Sequence, residues 1–300
     1  MSEVSVIIPT HNRPEFLKRS IKSVLDQSYQ DLELIIVDDG SKPTAQNIVD
    51  SFQDSRIRFI RQEVSRGGGT TRNIGIRAAT GNFIAFLDDD DEWVQEKLDI
   101  QMSRFSKTDS GVGFCFSAVT NIYDNHEEIS HVLNGVHDHF IRALGNPKGY
   151  LTVTLIIKRE VFDRIGLFDE FLPSHQEADL VIRMSRHFKG LGIDLPLVKV
   201  NMRSGHAHIG GQMKNRITGR EMIISKNLDD FQHHPDELAS HYFQLGLWCR
   251  ALSKYHVARQ YFWRALRTKF SLRSLVHMIS MMGNGMIYQL IRLFRNERTR

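Results

Sequence analysis

Four carboxylates in a row, Asp88, Asp89, Asp90 and Asp91, stand in the stretch FLDDDDEW at residues 86–93. Side by side they repel one another, so something must offset that repulsion. Acids closely spaced at a strand end offer hard oxygen ligands, the donor set of Mg²⁺ or Mn²⁺. A cation there keeps open positions, which a diphosphate fills well. An EF-hand calcium loop would need Gly at its sixth position, and counting from Asp88 that position is Trp93. Other chemistry-bearing stretches are PTHNR at 9–13, DDGS at 38–41, TTRN at 70–73, QEADLVIR at 176–183 and SGHAHIGGQ at 204–212. Arg72 supplies a forked donor suited to phosphate oxygens. The run Gly67-Gly68-Gly69 lets backbone approach a phosphate or simply turns the chain. Glu177 and Asp179 are acids at a helix start, a place where the dipole alone also favours them.

Alternating strands and helices are what must bring these residues together. VSVIIP (4–9) is an apolar run ending in Pro9, a buried strand, and Pro14 suits the first turn of a helix through Leu25. LELIIVDDGS (32–41) is a second buried strand, residues 43–53 a helix, and RIRFIRQ a third strand. Residues 70–79 are helical, NFIAFLDDDD is a fourth strand, residues 93–105 a helix and GVGFCFSAV a further strand. Continuous apolar strands alternating with helices predict an α/β fold, a mostly parallel twisted sheet flanked by helices. Ligands of such sheets bind beyond the carboxyl ends of the strands. PTHNR, DDGS and DDDDEW all fall at those ends, so they should converge. Further on, YLTVTLIIKREVF reads as a strand leading into a helix, EADLVIRMSRHF as a helix and LPLVKVNMR as a strand.

Of the 300 residues, 41% are hydrophobic and 25% charged, with a net charge of +4. That mild basic bias favours anionic ligands or a membrane surface. It does not by itself indicate nucleic acid, and no helix-turn-helix, zinc-finger or RNA-binding aromatic pattern is present. Cys115 and Cys249 are far apart and outside any CxxC pair, which argues against a disulfide framework or structural zinc and fits a reducing cytoplasm. VSVII is too short for a signal peptide, and no uninterrupted membrane span stands out.

From about 212 onward the chain reads as helical. Tyr242, Leu245, Gly246, Ala258, Phe262 and Ala265 match the spacing of a tetratricopeptide helix pair, although Phe270 stands where the later Pro would be. Residues 275–294 place Leu275, Ile279, Met282, Met286, Leu290 and Phe294 at helical spacing, followed by Arg295, Arg298 and Arg300. Such an amphipathic basic tail suits peripheral contact with a membrane, on the inner face of the cell membrane for a cytoplasmic enzyme. It equally suits a last helix packed on the core. The expected division is 1–215 as a catalytic domain and 216–300 as a helical region.

The ordered set SVIIPTHNR, LELIIVDDGS, TTRNIGIRAATGNFIAFLDDDDEW and QEADLVIRM resembles the family 2 glycosyltransferases of the A-type nucleotide-sugar-binding fold. The resemblance covers residues 1–215. It implies an inverting enzyme that takes a sugar from a nucleoside diphosphate sugar, by default a UDP-sugar, with a divalent metal. The acceptor it implies is a hydroxyl of a glycan or lipid-linked glycan, as in cell-surface polysaccharide synthesis. Pro9, Thr10, His11 and Arg13 match the segment that holds the nucleoside. Asp39 matches the carboxylate that accepts from the base, with Asp38 beside it. Arg72 and Asn73 match the pair near diphosphate and sugar. Asp88 and Asp90 match the outer acids of the family's DxD motif, with Asp90 the expected metal ligand, Asp88 near ribose or sugar, Asp89 in the variable middle position and Asp91 orienting the loop. His208, with His206 beside it, matches a histidine that adds a metal or diphosphate contact. Setting Asp179, Leu180 and Arg183 on the family's pattern puts Glu177 where the base is usually Asp. This departure lengthens the base by one methylene. Asp179 is the second candidate base.

Two other enzyme classes compete. IIVDDGS lacks the nucleophile of a haloacid-dehalogenase phosphatase, because position 37 is Val. A nucleotidyltransferase making a nucleotide sugar would also bind nucleotide and metal on an α/β sheet, but PTHNRPEF is not its Gly-rich basic loop. A non-enzymatic scaffold built on the helical repeat is the third reading.

Overall fold

The computed structural model describes residues 2–145, 150–203 and 213–281. In chain order the elements begin β1 (Val4–Thr10), α1 (Pro14–Leu25), β2 (Leu32–Asp38), α2 (Gln46–Asp50), β3 (Ile57–Arg61), α3 (Gly68–Ala78) and β4 (Phe83–Phe86). They continue with β5 (Glu92–Trp93), α4 (Lys97–Phe105), β6 (Val112–Ile122), β7 (Glu127–Ser130), β8 (Gly135–His137) and α5 (Phe140–Gly145). After a 3-10 turn at Thr152–Thr154 come β9 (Ile156–Lys158), α6 (Arg159–Ile165), α7 (Gln176–Ser185) and β10 (Lys189–Asn201). Helices α8 (Met213–Lys226), α9 (Leu228–His233), α10 (Pro235–Ala251), α11 (Tyr255–Thr268) and α12 (Leu272–Ser280) follow.

The chain forms two compact units. The first is Met1–Phe140, Pro147–Phe171 and Gln176–His206; the second is Ile141–Asn146, Leu172–His175 and Ala207–Arg300. Two short segments from the middle of the chain thus join the helical unit, an interleaving that local composition does not announce.

In the first unit, among the described residues, the strands make one sheet in the order β3-β2-β1-β4-β9-β6-β10-β5, with β7 beside β6 and β8 beside β10. Strands β3, β2, β1 and β4 pair in parallel, as do β6 and β10. The sheet is therefore mixed: β9 enters antiparallel between β4 and β6. Every residue of β2 is buried, as expected of a strand covered on both faces. Pro14 starts α1, and Leu17, Ile21 and Val24 turn one face of that helix into the core.

The sequence reading carries β4 through the acids and starts a helix at residue 93. Instead β4 ends at Phe86, and Leu87 N donates to Ile7 O before the chain turns. Glu92 and Trp93 then pair antiparallel with Lys199 and Val198, and helix begins at Lys97. Four adjacent acids fit a turn better than a ladder, and Trp93 gains burial by pairing at the sheet edge.

In the second unit, α10 and α11 pack against each other. Gly246 sits against the Phe262 ring, so close that an added Cβ would lie 2.6 Å from it. Leu245, Ala258, Phe262 and Ala265 are fully buried. The expected tail helix is described only as far as α12, and Met282 to Arg300 lie outside the described residues.

Candidate active site

The three strand ends do converge. In the parallel register Thr10 of β1 lies beside Asp38 of β2, and Ile7 beside Phe86 of β4. Thr10 Oγ1 donates to Asp89 Oδ2 at 2.8 Å. Arg13, just before α1, donates from Nη1 to Asp90 Oδ2 at 2.7 Å and to Asp89 Oδ1 at 3.3 Å. Arg72 on α3 donates to Asp88 Oδ1. Asp91 Oδ1 accepts from Asn201 N of β10 at 2.9 Å, and Asp91 O accepts from Ser20 Oγ at 2.7 Å. The repulsion among the four acids is thus met within the protein by two guanidinium groups and several hydrogen-bond donors.

Protonation is a further relief. Burial pushes Asp89 up to about 6 against the lowering pull of Thr10 and Arg13, with Asp90 and Asp88 adding to the rise. Burial, then the charges of Asp88 and Asp90, push Asp91 well above the usual carboxylate range. The carboxylate that opens to solvent is Asp88, its side chain 37% exposed against 8% for Asp90. Among the described residues no group of three His, Cys, Asp or Glu side chains is arranged around one ion. The donors are nonetheless all hard oxygens, which fits Mg²⁺ or Mn²⁺ completed by ligand phosphates. Of the two outer acids, Asp88 is thus the more open to solvent.

Asp38 and Asp39 are occupied by the protein itself. Asp38 accepts from Ser41 N, Thr44 Oγ1 and Ala45 N. Burial pushes its carboxyl up, but these donors outweigh it and hold the group below the usual range. Asp39 takes four donors: Gln62 Nε2, Arg66 N, Ser65 Oγ and Gly67 N, at 2.7–2.9 Å. The carboxylate expected to accept from a base thus already accepts from four donors of the protein itself. It holds the 62–67 loop, and its backbone carbonyl accepts from His11 Nδ1 at 2.7 Å. Gly40 makes this possible: at φ +74, an added Cβ would lie 2.8 Å from Ser65 N. Asn12 stitches the two loops further, its N donating to Ser41 Oγ and its Oδ1 accepting from Lys42 N. The first glycine of the Gly67 run gives its N–H to Asp39 rather than leaving it for a phosphate.

Asn73 is likewise bonded within the protein. Its amide donates to Phe168 O and Glu170 Oε1, and its Oδ1 accepts from Phe168 N. At 1% exposure it positions the 168–170 segment. Phe168 in turn lies edge-on to Phe86 and under the Arg72 guanidinium. Glu170, bonded by Asn73, Thr70 and Arg77, is held below the usual carboxylate range by the Asn73 amide first of all. The sequence reading passed over it; the pairing of FDE with a helix-start acid a few residues on was the available signal.

Helix α7 begins with Gln176 and Glu177. Gln176 leans on the first turn of α3, where a Cβ on Gly69 would meet its Nε2 at 2.9 Å. Glu177 is half-buried at that helix start. Asp179 is 2% exposed, and Arg183 Nε donates to it at 2.8 Å. The same Arg183 donates to Ile165 O and Leu167 O. That pair clamps the turn after α6. Trp93 is buried with Nε1 donating to Val153 O. His206 and His208 lie outside the described residues.

Residues 5–166 match the model of "Glycosyl transferase family 2". The amylovoran biosynthesis glycosyltransferase AmsB of Erwinia amylovora is 33% identical over 225 residues, which cover 70% of this chain and 74% of that protein. The chain belongs to glycosyl transferase family 2. A second relative of this family 2 glycosyltransferase is the UDP-Glc:alpha-D-GlcNAc-diphosphoundecaprenol beta-1,3-glucosyltransferase WfgD of Escherichia coli. It is 37% identical over 127 residues, 42% of this chain and 47% of that protein. The match therefore spans about half the length of WfgD. Among solved structures, S. aureus TarS 1–349 in complex with UDP-GlcNAc superposes with a TM-score of 0.67 at 17% identity, covering 94% of this chain and 80% of that one. The mannosyltransferase PcManGT from Pyrobaculum calidifontis, in complex with GDP-Man and Mn²⁺, gives 0.62 at 16% identity, covering 99% and 82%. At those identities the structures establish the fold. The family 2 glycosyltransferase is an enzyme, which sets aside the phosphatase, nucleotidyltransferase and scaffold readings.

Proposed function

We propose that this glycosyltransferase moves a sugar from a UDP-sugar to a hydroxyl of a lipid-linked glycan, with inversion and with help from a divalent cation. The observation that carries the proposal is the meeting of Thr10, Arg13, Arg72 and the 88–91 acids at the carboxyl ends of β1 and β4. The UDP-GlcNAc of the TarS complex and the diphosphoundecaprenol in the name of WfgD support the donor and acceptor classes.

The residues divide the work. The segment Pro9–Arg13 and the loop held by Asp39 receive the nucleoside. Arg72 neutralises donor phosphate oxygens. Asp88 and Asp90 would hold Mg²⁺ or Mn²⁺, which when bound supplies positive charge for the departing diphosphate. Glu177, at the start of α7, takes the proton from the acceptor hydroxyl. That oxygen attacks the anomeric carbon from the side opposite the diphosphate, the C–O bond to the leaving group breaks, and the configuration inverts.

The basic helical region is read as a peripheral membrane contact. Phe270, Leu272, Val276 and Ile279 are 45–72% exposed. Between Leu238 and Met281 there are seven Lys and Arg and no Asp or Glu. Exposed apolar groups within a basic stretch suit an anionic lipid surface. Among the described residues no helix is long and apolar enough to cross a membrane.

Calorimetry with UDP and GDP, with and without Mn²⁺, tests the donor site in wild type, Asp88→Ala and Asp90→Ala. Metal-dependent UDP binding lost in the variants is expected. A folded wild type that binds neither nucleotide in the presence of metal would reject the reading.

A further inference from the structure

The second unit holds a buried basic cluster that the transfer chemistry does not use. His175 stacks on Trp248, ring centroids 5.8 Å apart and planes 13° from parallel. Arg220 of α8 places its guanidinium carbon 4.7 Å from the centroid of the same indole. His241 of α10 is 2% exposed and donates from Nε2 to Leu144 O at 2.7 Å. Each of the three carries a buried nitrogen without a hydrogen-bond partner: His175 Nε2, Arg220 Nε and His241 Nδ1. Among the described residues Arg220 has no carboxylate partner, and the other charge acting on His175 is Arg216, one turn earlier on α8.

A largely buried guanidinium with no counter-ion is costly, and so is each unpartnered imidazole nitrogen. Two such groups on one indole, with His241 within electrostatic reach of both, ask for a ligand of negative charge. A bare cation would meet repulsion from Arg216 and Arg220. A lone water would satisfy lone pairs but leave the guanidinium charge uncompensated. We infer that His175, Arg220 and His241 form a binding site for a phosphate-class oxyanion within the helical unit. The guanidinium fork matches phosphate oxygens. Desolvation holds both imidazoles near 4 without a ligand, so each presents a lone pair at its unpartnered nitrogen. An oxyanion supplies the charge that lets those nitrogens take a proton and donate. Binding therefore strengthens as pH falls, with Arg216 and Arg220 the fixed charges facing His175, and Arg220 and the His175 ring facing His241.

The oxyanion could be free phosphate or the phosphate of a phosphorylated lipid, and the inference does not depend on the donor-site reading. The test is calorimetry on the full chain with inorganic phosphate and with farnesyl monophosphate, at constant ionic strength in chloride. Saturable binding is expected, weakened at least tenfold in Arg220→Gln and at least threefold in His241→Gln, and kept within twofold in Arg72→Gln. The last variant separates this site from the donor site. Farnesyl monophosphate binding tenfold tighter than phosphate would assign the site to a phospholipid-type ligand; equal affinities would assign it to free phosphate. If Arg220→Gln does not fold, the histidine Cε1 proton resonances of wild type provide the readout, shifting as anion is added. Undiminished binding in Arg220→Gln, no saturable binding in wild type, or unmoved histidine resonances would overturn the inference.

Discussion

Arg13 and Asp90 form an ion pair at 2.7 Å, and the same guanidinium nitrogen reaches Asp89 at 3.3 Å. One arginine at the start of α1 therefore restrains two of four adjacent acids. Replacing Arg13 by Met leaves those acids buried against each other. The expected cost is about 2 kcal/mol in urea denaturation, with transfer reduced at least tenfold. Millimolar Mn²⁺ should restore more stability to the variant than it adds to wild type, because the cation replaces the lost charge.

Asp39 has its own test, since its carboxylate anchors the 62–67 loop through four donors. Asp39→Ala should lower stability by about 3 kcal/mol. It should also open the loop to trypsin after Arg66. A variant with unchanged stability and unchanged cleavage, but weaker nucleotide binding, would mean that the carboxylate serves the base directly.

The two acids of α7 should separate cleanly. Glu177→Gln is expected to lower kcat by about 10²–10⁴ with little change in stability, as loss of a general base does. Asp179→Asn breaks the buried pair with Arg183 and should cost about 3 kcal/mol of stability. Its kcat loss should be the smaller of the two. Steady-state kinetics beside thermal melts distinguishes them.

Lys97 carries a pH signature. It is fully buried, its Nζ lies 4.0 Å from the centre of the Trp93 ring, and burial lowers it from 10.5 to about 7. The unfolded chain keeps this proton up to about 10.5, while the folded chain releases it near 7. Folded protein thus binds fewer protons in that window, and this group adds stability as pH rises through it. Lys97→Met should be more stable than wild type at pH 7 by about 3 kcal/mol. The difference between the two should shrink toward alkaline pH, measured by denaturant titration across the window.

The α11–α12 region should bind vesicles containing anionic lipid and not neutral ones, with affinity falling as salt rises. Leu272→Glu combined with Val276→Glu should abolish sedimentation with vesicles while leaving sugar transfer to a soluble acceptor unchanged. Equal sedimentation of variant and wild type would reject that face as the contact.

Local pattern made much of this protein legible. The apolar runs at 4–9 and 32–37 could only be strands covered on both sides. Parallel strands joined by helices put their carboxyl ends on one edge, so PTHNR, DDGS and the four acids had to meet there. The helix pair around Gly246 and Phe262 was readable because small and large residues recur at helical spacing. What the pattern could not reach was the partner of each charged group. Asp91 is bonded by Asn201, 110 residues away, Asn73 by Phe168, 95 away, and Asp39 by the loop that Gly40 allows to approach. Tertiary structure alone decided that Asp39, Asn73 and Asp179 brace loops while Asp88 opens outward. The reason is physical: residue type and spacing determine which face a side chain takes, but a carboxylate's solvent and counter-ion come from backbone that the sheet brings in from elsewhere in the chain.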